Sequence, residues 1–170
     1  MSAQHKRGPR RPGKTGMHEP TLQKGKQPMS TEENKKVVQH MMHLQEHGDL
    51  NTADQFIAPN WVNHDPSMPP LQGYEGFKQL NMLFRSAFPG FHLEIEDILA
   101  EGDKVAGRIR FRATNTGSFQ GMPPTGKAVD VTGTGIFRVA DGKVTDNWVN
   151  FDMLSLLQQL GVVPAPGQTS

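Results

Sequence analysis

The sequence contains no cysteine, which excludes disulfides, thiol nucleophiles and thiolate metal sites. It has no apolar run near the length of about 20 residues that a membrane-spanning helix needs. No glycine-rich turn joins a strand to a helix, so Rossmann and P-loop nucleotide sites are unsupported. We therefore expect a cytoplasmic protein that does not enter a membrane.

Charge is distributed unevenly along the chain. Residues 1–29 hold seven of the 18 basic residues and only one of the 17 acidic residues, so the remainder is net acidic. The same segment is rich in glycine and proline and poor in apolar groups, a composition typical of disorder. We predict a disordered tail over 1–29, one domain over 30–163 and a flexible tail over 164–170, with no nucleic-acid partner.

Local signals predict four helices. Ser30 and Glu33 match a capping box, which begins a helix that ends near His47. Asp49 caps a short second helix that buries Ile57 and ends at Pro59. The third and fourth helices are predicted over Gly73–Phe88 and Met153–Leu160.

Alternation of apolar and polar residues then predicts strands. A short extended segment covers Trp61–Asp65, and longer strands begin at Phe91 and Val105. Asp141-Gly142 lies between two further alternating runs, which is a hairpin signal. The order indicates an α+β fold: a strongly curved antiparallel sheet around the N-terminal helices, with a short closing C-terminal helix.

The last strand carries a notable set of side chains. Trp148, Asn150 and Asp152 are spaced by two, so their side chains point to one face. An indole, an amide and a carboxylate on one face are typical of a pocket wall. We predict that this face lines the functional site.

Nine short motifs in a fixed order cover residues 32–161 and identify a family. Among them are Asn63-His64-Asp65-Pro66, Pro123-Pro124-Thr125-Gly126-Lys127 and Leu156-Leu157-Gln158-Gln159-Leu160-Gly161. The chain resembles the SnoaL-like polyketide cyclase (ester cyclase) family, within the superfamily of nuclear-transport-factor-2-like cone folds. The resemblance implies a cone-shaped sheet that encloses one apolar pocket.

The resemblance also implies a reaction. In such cyclases an aspartate on the last strand is the acid/base of an intramolecular aldol closure, without metal or organic cofactor, and Asp152 matches it. Two histidines that are common in the family are replaced here by Asn115 and Asn147. The alternatives are a ketosteroid-isomerase-like isomerase or hydratase, and a non-catalytic binding or dimerisation module.

Each candidate catalytic residue has a structural alternative. Desolvation in an apolar pocket would make Asp152 a competent base, but the same carboxylate could instead cap the last helix. His64 could relay protons or donate a hydrogen bond to substrate, or it could fix the following proline-rich loop. Asn63 and Asp65 flank His64 in an extended segment, so their side chains point to the face opposite His64, and we expect them to fix the loop.

The remaining expectations concern the pocket wall and the partners. The predicted wall contains Trp61, Trp148, Asn150, Met41, Phe84, Arg112, Thr132 and Met153, although such apolar residues are usually core. Arg112 alternates with Arg108 and Arg110, and this cationic face either binds an anion or pairs with acids of adjacent strands. We expect a small apolar oxygenated ligand, no metal, and a homodimer or higher homo-oligomer.

Overall fold

The computed structural model describes residues 29–164 and Gly167. Its α-helices are α1 (Thr31–His47), α2 (Gly73–Ala87) and α3 (Met153–Leu160), and a 3-10 helix covers Leu50–Gln55. The predicted tails at 1–28 and, apart from Pro164 and Gly167, at the C-terminus lie outside the described residues. Met29, assigned to the tail, packs against the core.

Six strands form one mixed sheet. They are β1 (Ile57–Asn63), β2 (Leu71–Gln72), β3 (His92–Glu101), β4 (Lys104–Thr114), β5 (Ala128–Ala140) and β6 (Lys143–Phe151). Their order is β2-β1-β6-β5-β4-β3, and every pair is antiparallel except β1 with β6, which is parallel. The predicted α+β class is confirmed, but the sheet, which was expected to be antiparallel, is mixed because β1 pairs in parallel with β6.

One predicted element is wrong. The helix expected to end at Pro59 is a 3-10 helix that ends at Gln55, and Ile57 already begins β1. The β-branched Ile57 is fully buried and pairs with Val144 of β6. Tertiary pairing with β6 therefore outweighs the weak helical signal of this short segment.

The predicted start of α1 is confirmed. Ser30 Oγ accepts a hydrogen bond of 3.2 Å from Glu33 N, and Ser30 N donates one of 2.7 Å to Glu33 Oε2. These two bonds satisfy amide groups that the first helical turn leaves without partners. The buried side of α1, including Val38 and Met41, then faces the sheet.

The sheet has an inner face that packs on the helices and an outer face that is largely polar. Along β5, every second residue from Val129 to Val139 is buried, whereas the residues that alternate with them are partly or fully exposed. This strict alternation is expected of a sheet with one face on the core. Only side chains on the inner face of a strand can therefore line a cavity between the sheet and the helices.

A β-bulge in β6 decides which side chains of the last strand point inward. Arg138 pairs with Asp146 whereas the adjacent Val139 pairs with Val144, so Thr145 is an extra residue with no opposite partner. An insertion of one residue reverses the facing of every residue after it. Val144 and Asn147 are consequently both buried, three positions apart.

None of the helices among the described residues is long and apolar enough to cross a membrane.

Candidate active-site cavity

A cavity of about 80 Å³ lies between the inner face of the sheet and helices α1 and α2. Its walls are mostly apolar and include Met41, Met42, Trp61, Phe77, Phe84 and Phe111. Three of the predicted wall residues, Trp61, Met41 and Phe84, are in this set. Because methionine side chains are flexible, the α1 side of the wall is its most adaptable part.

The polar part of the wall is centred on two asparagines of the parallel strands. Asn63 of β1 and Asn147 of β6 are paired in register, and both are buried. Asn147 Nδ2 donates a hydrogen bond of 2.8 Å to Asn63 Oδ1. Asn63 Nδ2 and Asn147 Oδ1 have no hydrogen-bond partner among the described residues. Whichever way the two amides are turned, one donor and one acceptor stay unpaired.

A third unpaired polar atom belongs to Trp61, two residues before Asn63 on β1. Its side chain is 1% exposed, and its ring packs edge-on against Phe77 at a centroid distance of 5.5 Å. Trp61 Nε1 is also without a hydrogen-bond partner within the described chain. The wall is mostly apolar, with Gln45, Asp65 and Asn81 as its other polar residues, and it carries two unpaired donors and one unpaired acceptor.

Asp65 is the sole aspartate or glutamate among the described residues that line the cavity. It follows β1 and is partly buried. Its Oδ1 accepts hydrogen bonds from Ser67 N at 2.8 Å and from Ser67 Oγ at 2.6 Å. The expectation that Asn63 and Asp65 only fix the loop is incomplete, because both residues also line the cavity.

Asp152 does not line the cavity. It is exposed at the N-terminus of α3, where its Oδ1 accepts a hydrogen bond of 2.9 Å from Ser155 N. The expected burial of this carboxylate in an apolar pocket is therefore wrong, and the alternative as a helix cap describes its observed contact. Its role in proton transfer stays a prediction.

The bulge at Thr145 explains this difference. Trp148, Asn150 and Asp152 share one parity, as predicted, but Asn147, Val149 and Phe151 are the residues that line the cavity. Without the extra residue, alternation from the buried Val144 would have turned Trp148 inward. The pocket wall was thus expected on the wrong face of β6.

His64 and Trp148 instead meet on the outer side of the sheet. Their rings stack at 4.6 Å with an interplanar angle of 4°, and the Arg138 guanidinium lies 5.3 Å from the Trp148 ring centre. His64 Nε2 is 3.0 Å from Asp146 Oδ1. The structure thus brings these two predicted site residues together, but away from the cavity.

Asp146 at the centre of this outer cluster has a perturbed acidity. Partial burial alone would raise the pKa of Asp146. Hydrogen bonds from His64 and Thr145 and the charge of Arg138 outweigh it, so the pKa lies below its usual range. The carboxylate therefore stays ionised at neutral pH and anchors the cluster.

The other predicted wall residues also lie outside the cavity. Arg112 is exposed and pairs with Glu94, while Arg110 makes two 2.7 Å bonds with Asp130. The bond from Arg110 lowers the pKa of Asp130. The cationic stripe thus pairs with acids of adjacent strands, the alternative considered above.

Three further residues predicted to line the pocket also lie elsewhere. Thr132 pairs with Arg110 across the outer face and Asn150 is exposed, since both share the outward parity. Met153 packs against a second apolar cluster around Phe88 and Phe111. Within residues 29–164 and Gly167, no group of three His, Cys, Asp or Glu side chains is placed to hold a metal ion.

Comparison with known proteins identifies close structural relatives. Residues 35–160 match the family model of SnoaL-like polyketide cyclase. AclR from Streptomyces galilaeus, a candidate hydroxylase, is 31% identical over 82% of this chain and 87% of its own, with a TM-score of 0.71. IdmH from Streptomyces antibioticus, a candidate polyketide cyclase, is 31% identical over 75% and 98% of the two chains, with a TM-score of 0.66.

A third structure extends the likeness. A candidate polyketide cyclase from Bacillus cereus is 32% identical over 79% of this chain and 87% of its own, with a TM-score of 0.66. No curated protein matches the chain. The similarity covers α1 to α3 and thus includes every wall of the cavity.

Proposed function

Because the chain belongs to the SnoaL-like polyketide cyclase family, we propose that its cavity binds an apolar, carbonyl-bearing small molecule of the polyketide type and transfers a proton on it. The reaction is an intramolecular aldol-type ring closure, or a related proton transfer beside a carbonyl group. Side chains of the cavity supply the general acid/base chemistry.

The observation that carries this proposal is the set of three unpaired polar atoms in the wall. Each buried donor or acceptor without a partner costs about 1–3 kcal/mol, so such atoms are rare and commonly serve a ligand. Trp61 Nε1 and Asn63 Nδ2 donate, and Asn147 Oδ1 accepts. A neighbouring carbonyl and hydroxyl, as in an enolised 1,3-dicarbonyl compound, match two donors and one acceptor.

The same atoms suit the proposed chemistry. When a proton leaves the carbon between two carbonyls, negative charge develops on the carbonyl oxygens. Neutral N–H donors fixed in an apolar enclosure stabilise that charge without having to reorient. Asn147 stands where many family members have a histidine, so here the wall contributes hydrogen bonds without adding a second titratable group.

The size of the cavity limits the ligand. At about 80 Å³ it is smaller than the roughly 300–1,000 Å³ of typical ligand pockets. A single ring with two oxygen substituents is the appropriate scale for the enclosed part. A larger substrate enters only if the methionines Met41 and Met42 change rotamer.

A second candidate function is binding without turnover. It is favoured by the position of Asp152, whose carboxylate caps α3 and is absent from the cavity lining. In that case the cavity would hold the same class of ligand but would not accelerate proton exchange. The two functions share the binding step and differ in the chemical step.

The experiment compares two probes of similar size in two proteins. Benzoylacetone carries the 1,3-dicarbonyl group, whereas butylbenzene has no oxygen. We expect the wild type to bind benzoylacetone more tightly than butylbenzene. In the double variant Asn63→Val/Asn147→Val, the ratio of the two dissociation constants should fall at least about tenfold, which corresponds to the loss of one or two hydrogen bonds. An equal change for both probes would contradict the proposed polar recognition.

A further inference from the structure

We infer that Asp65, and not the family-matched Asp152, is the catalytic base of the cavity. This inference rests on the proposed function, because it assigns the proton acceptor for the same ligand. Its starting point is location: within the described chain, no other carboxylate lines the cavity. Asp65 lies two residues after Asn63, whose amide belongs to the polar wall.

The contacts of Asp65 orient one oxygen and leave the other available. Oδ1 accepts both bonds from Ser67, and Oδ2 has no recorded partner within residues 29–164. Asp65 also makes no ion pair with the described cations. A carboxylate that is held through one oxygen presents the lone pairs of the other in a fixed direction.

The segment that carries Asp65 is itself anchored. Met68 N donates a hydrogen bond of 3.2 Å to Asp65 O, and Gln120 Nε2 donates one of 3.3 Å to Ser67 O. Pro66 restricts the backbone between Asp65 and Ser67. Met68 is buried in the second apolar cluster. The loop therefore holds the carboxylate at the cavity wall, as acid/base catalysis requires.

Asp152 has the opposite arrangement. Its Oδ1 accepts a hydrogen bond from Ser155 N, and the residue is exposed to solvent. Because of the bulge at Thr145, residues of β6 that alternate in step with Asp152 point to the outer face of the sheet. A carboxylate in that position reaches water more readily than it reaches the cavity. Sequence position thus favours Asp152 and spatial position favours Asp65.

The proposed step is balanced within one molecule of substrate. Asp65 Oδ2 takes the proton from the carbon between two carbonyls, and the electron pair of the broken C–H bond forms the enolate. The enolate carbon then bonds to the carbon of a third carbonyl group in the same molecule. The resulting alkoxide takes the proton back from Asp65, so the ring-closed product is an isomer of the substrate.

The test measures the first half of that step with benzoylacetone in deuterated buffer, using the full chain. Deuterium incorporation at the central carbon is followed by NMR. We expect wild type to accelerate exchange, and Asp65→Asn to lower the catalysed rate at least about 100-fold, the usual value of a general base. The benzoylacetone concentration that gives half the maximal exchange rate should change by no more than about threefold, because the amide keeps the shape of the carboxylate.

A matched control is Asp49→Asn, because Asp49 lies outside the cavity lining and its Oδ1 accepts from the amide two residues on, Asn51 N, as Asp65 Oδ1 accepts from Ser67 N. It should exchange at the wild-type rate. Ser67→Ala tests positioning: it removes one of the two bonds to Oδ1 and should lower the exchange rate with half-saturation unchanged. A purely structural role of Ser67 would lower stability alone.

The outcomes separate the two proposals. Wild-type exchange in Asp65→Asn, or loss of exchange in Asp152→Asn instead, would overturn the assignment of Asp65. Binding of benzoylacetone without accelerated exchange would also overturn it while the binding function stands. If benzoylacetone does not bind in the cavity, the proposed function fails and Asp65 loses its role with it.

Discussion

Asn147 Nδ2 lies 2.8 Å from Asn63 Oδ1, and this hydrogen bond links the parallel strands β1 and β6 at the wall of the cavity. Both amides are buried, and each keeps one unpaired polar atom. The pair therefore costs stability in the free protein while it equips the cavity to bind an oxygenated ligand.

The first prediction concerns the stability cost of this pair. Asn63→Val or Asn147→Val alone leaves the partner amide buried with no hydrogen bond, and we expect each to lower the free energy of unfolding by about 1–3 kcal/mol. The double variant removes all four polar atoms and should be close to wild type in urea denaturation. Additive losses would show that the two amides are not coupled.

The second prediction separates the two roles of Asp152. Asp152→Ala removes the cap of α3 and should lower the free energy of unfolding by about 1 kcal/mol, whereas Asp152→Asn keeps the cap and should lie within a few tenths. Thermal or urea unfolding measures both. Equal losses in the two variants would mean that charge, rather than the capping hydrogen bond, is what α3 requires.

The third prediction concerns two glycines on the inner face. A Cβ on Gly135 would lie 2.7 Å from Phe137 Cζ, and Phe137 lines the cavity. We expect Gly135→Ala to displace that ring, to destabilise the fold by about 1–3 kcal/mol and to weaken ligand binding.

Gly107→Ala is the matched control for this prediction. Its Cβ would meet nothing closer than 3.7 Å, at Asp97 O, and Gly107 is also inside a strand. It should be neutral or slightly stabilising, because alanine restricts the unfolded chain. A loss equal to that of Gly135→Ala would contradict the steric explanation.

The fourth prediction follows from Asp146. Its pKa is lowered in the folded protein, so its contribution to stability is complete above its unfolded pKa of about 3.9 and is lost as pH falls through the folded value. Asp146→Asn should therefore be less stable than wild type at pH 7, and the difference should shrink below about pH 4. A difference that is constant down to the acid transition would contradict the linkage.

Local signals in the sequence were sufficient for much of the fold. The capping box at Ser30 and the final helix Met153–Leu160 were predicted correctly, since each depends on residues a few positions apart. The β5–β6 hairpin was also predicted, because Asp141-Gly142 encodes its turn. The parallel pairing of β1 with β6 depends on residues more than 80 positions apart, and no local pattern encodes it.

The candidate site was harder to predict for a related reason. The facing of Trp148 and Asp152 depends on the bulge at Thr145, which exists only through pairing with β5. One signal was available: Asn147 follows the apolar Val144 by three positions and replaces a family histidine. An inward Asn147 reverses the predicted wall of β6, but its pairing with Asn63 depends on the distant β1–β6 contact.

The most direct test uses the two tryptophans of the chain, since Trp61 lies in the cavity and Trp148 lies on the outer face. Their indole N–H signals are assigned with Trp61→Phe and Trp148→Phe and then followed by NMR during titration with benzoylacetone. Binding in the cavity predicts a saturable shift of the Trp61 signal with Trp148 unchanged. A shift of Trp148 alone, or of neither signal, would contradict the placement of the ligand site on the Asn147 face of β6.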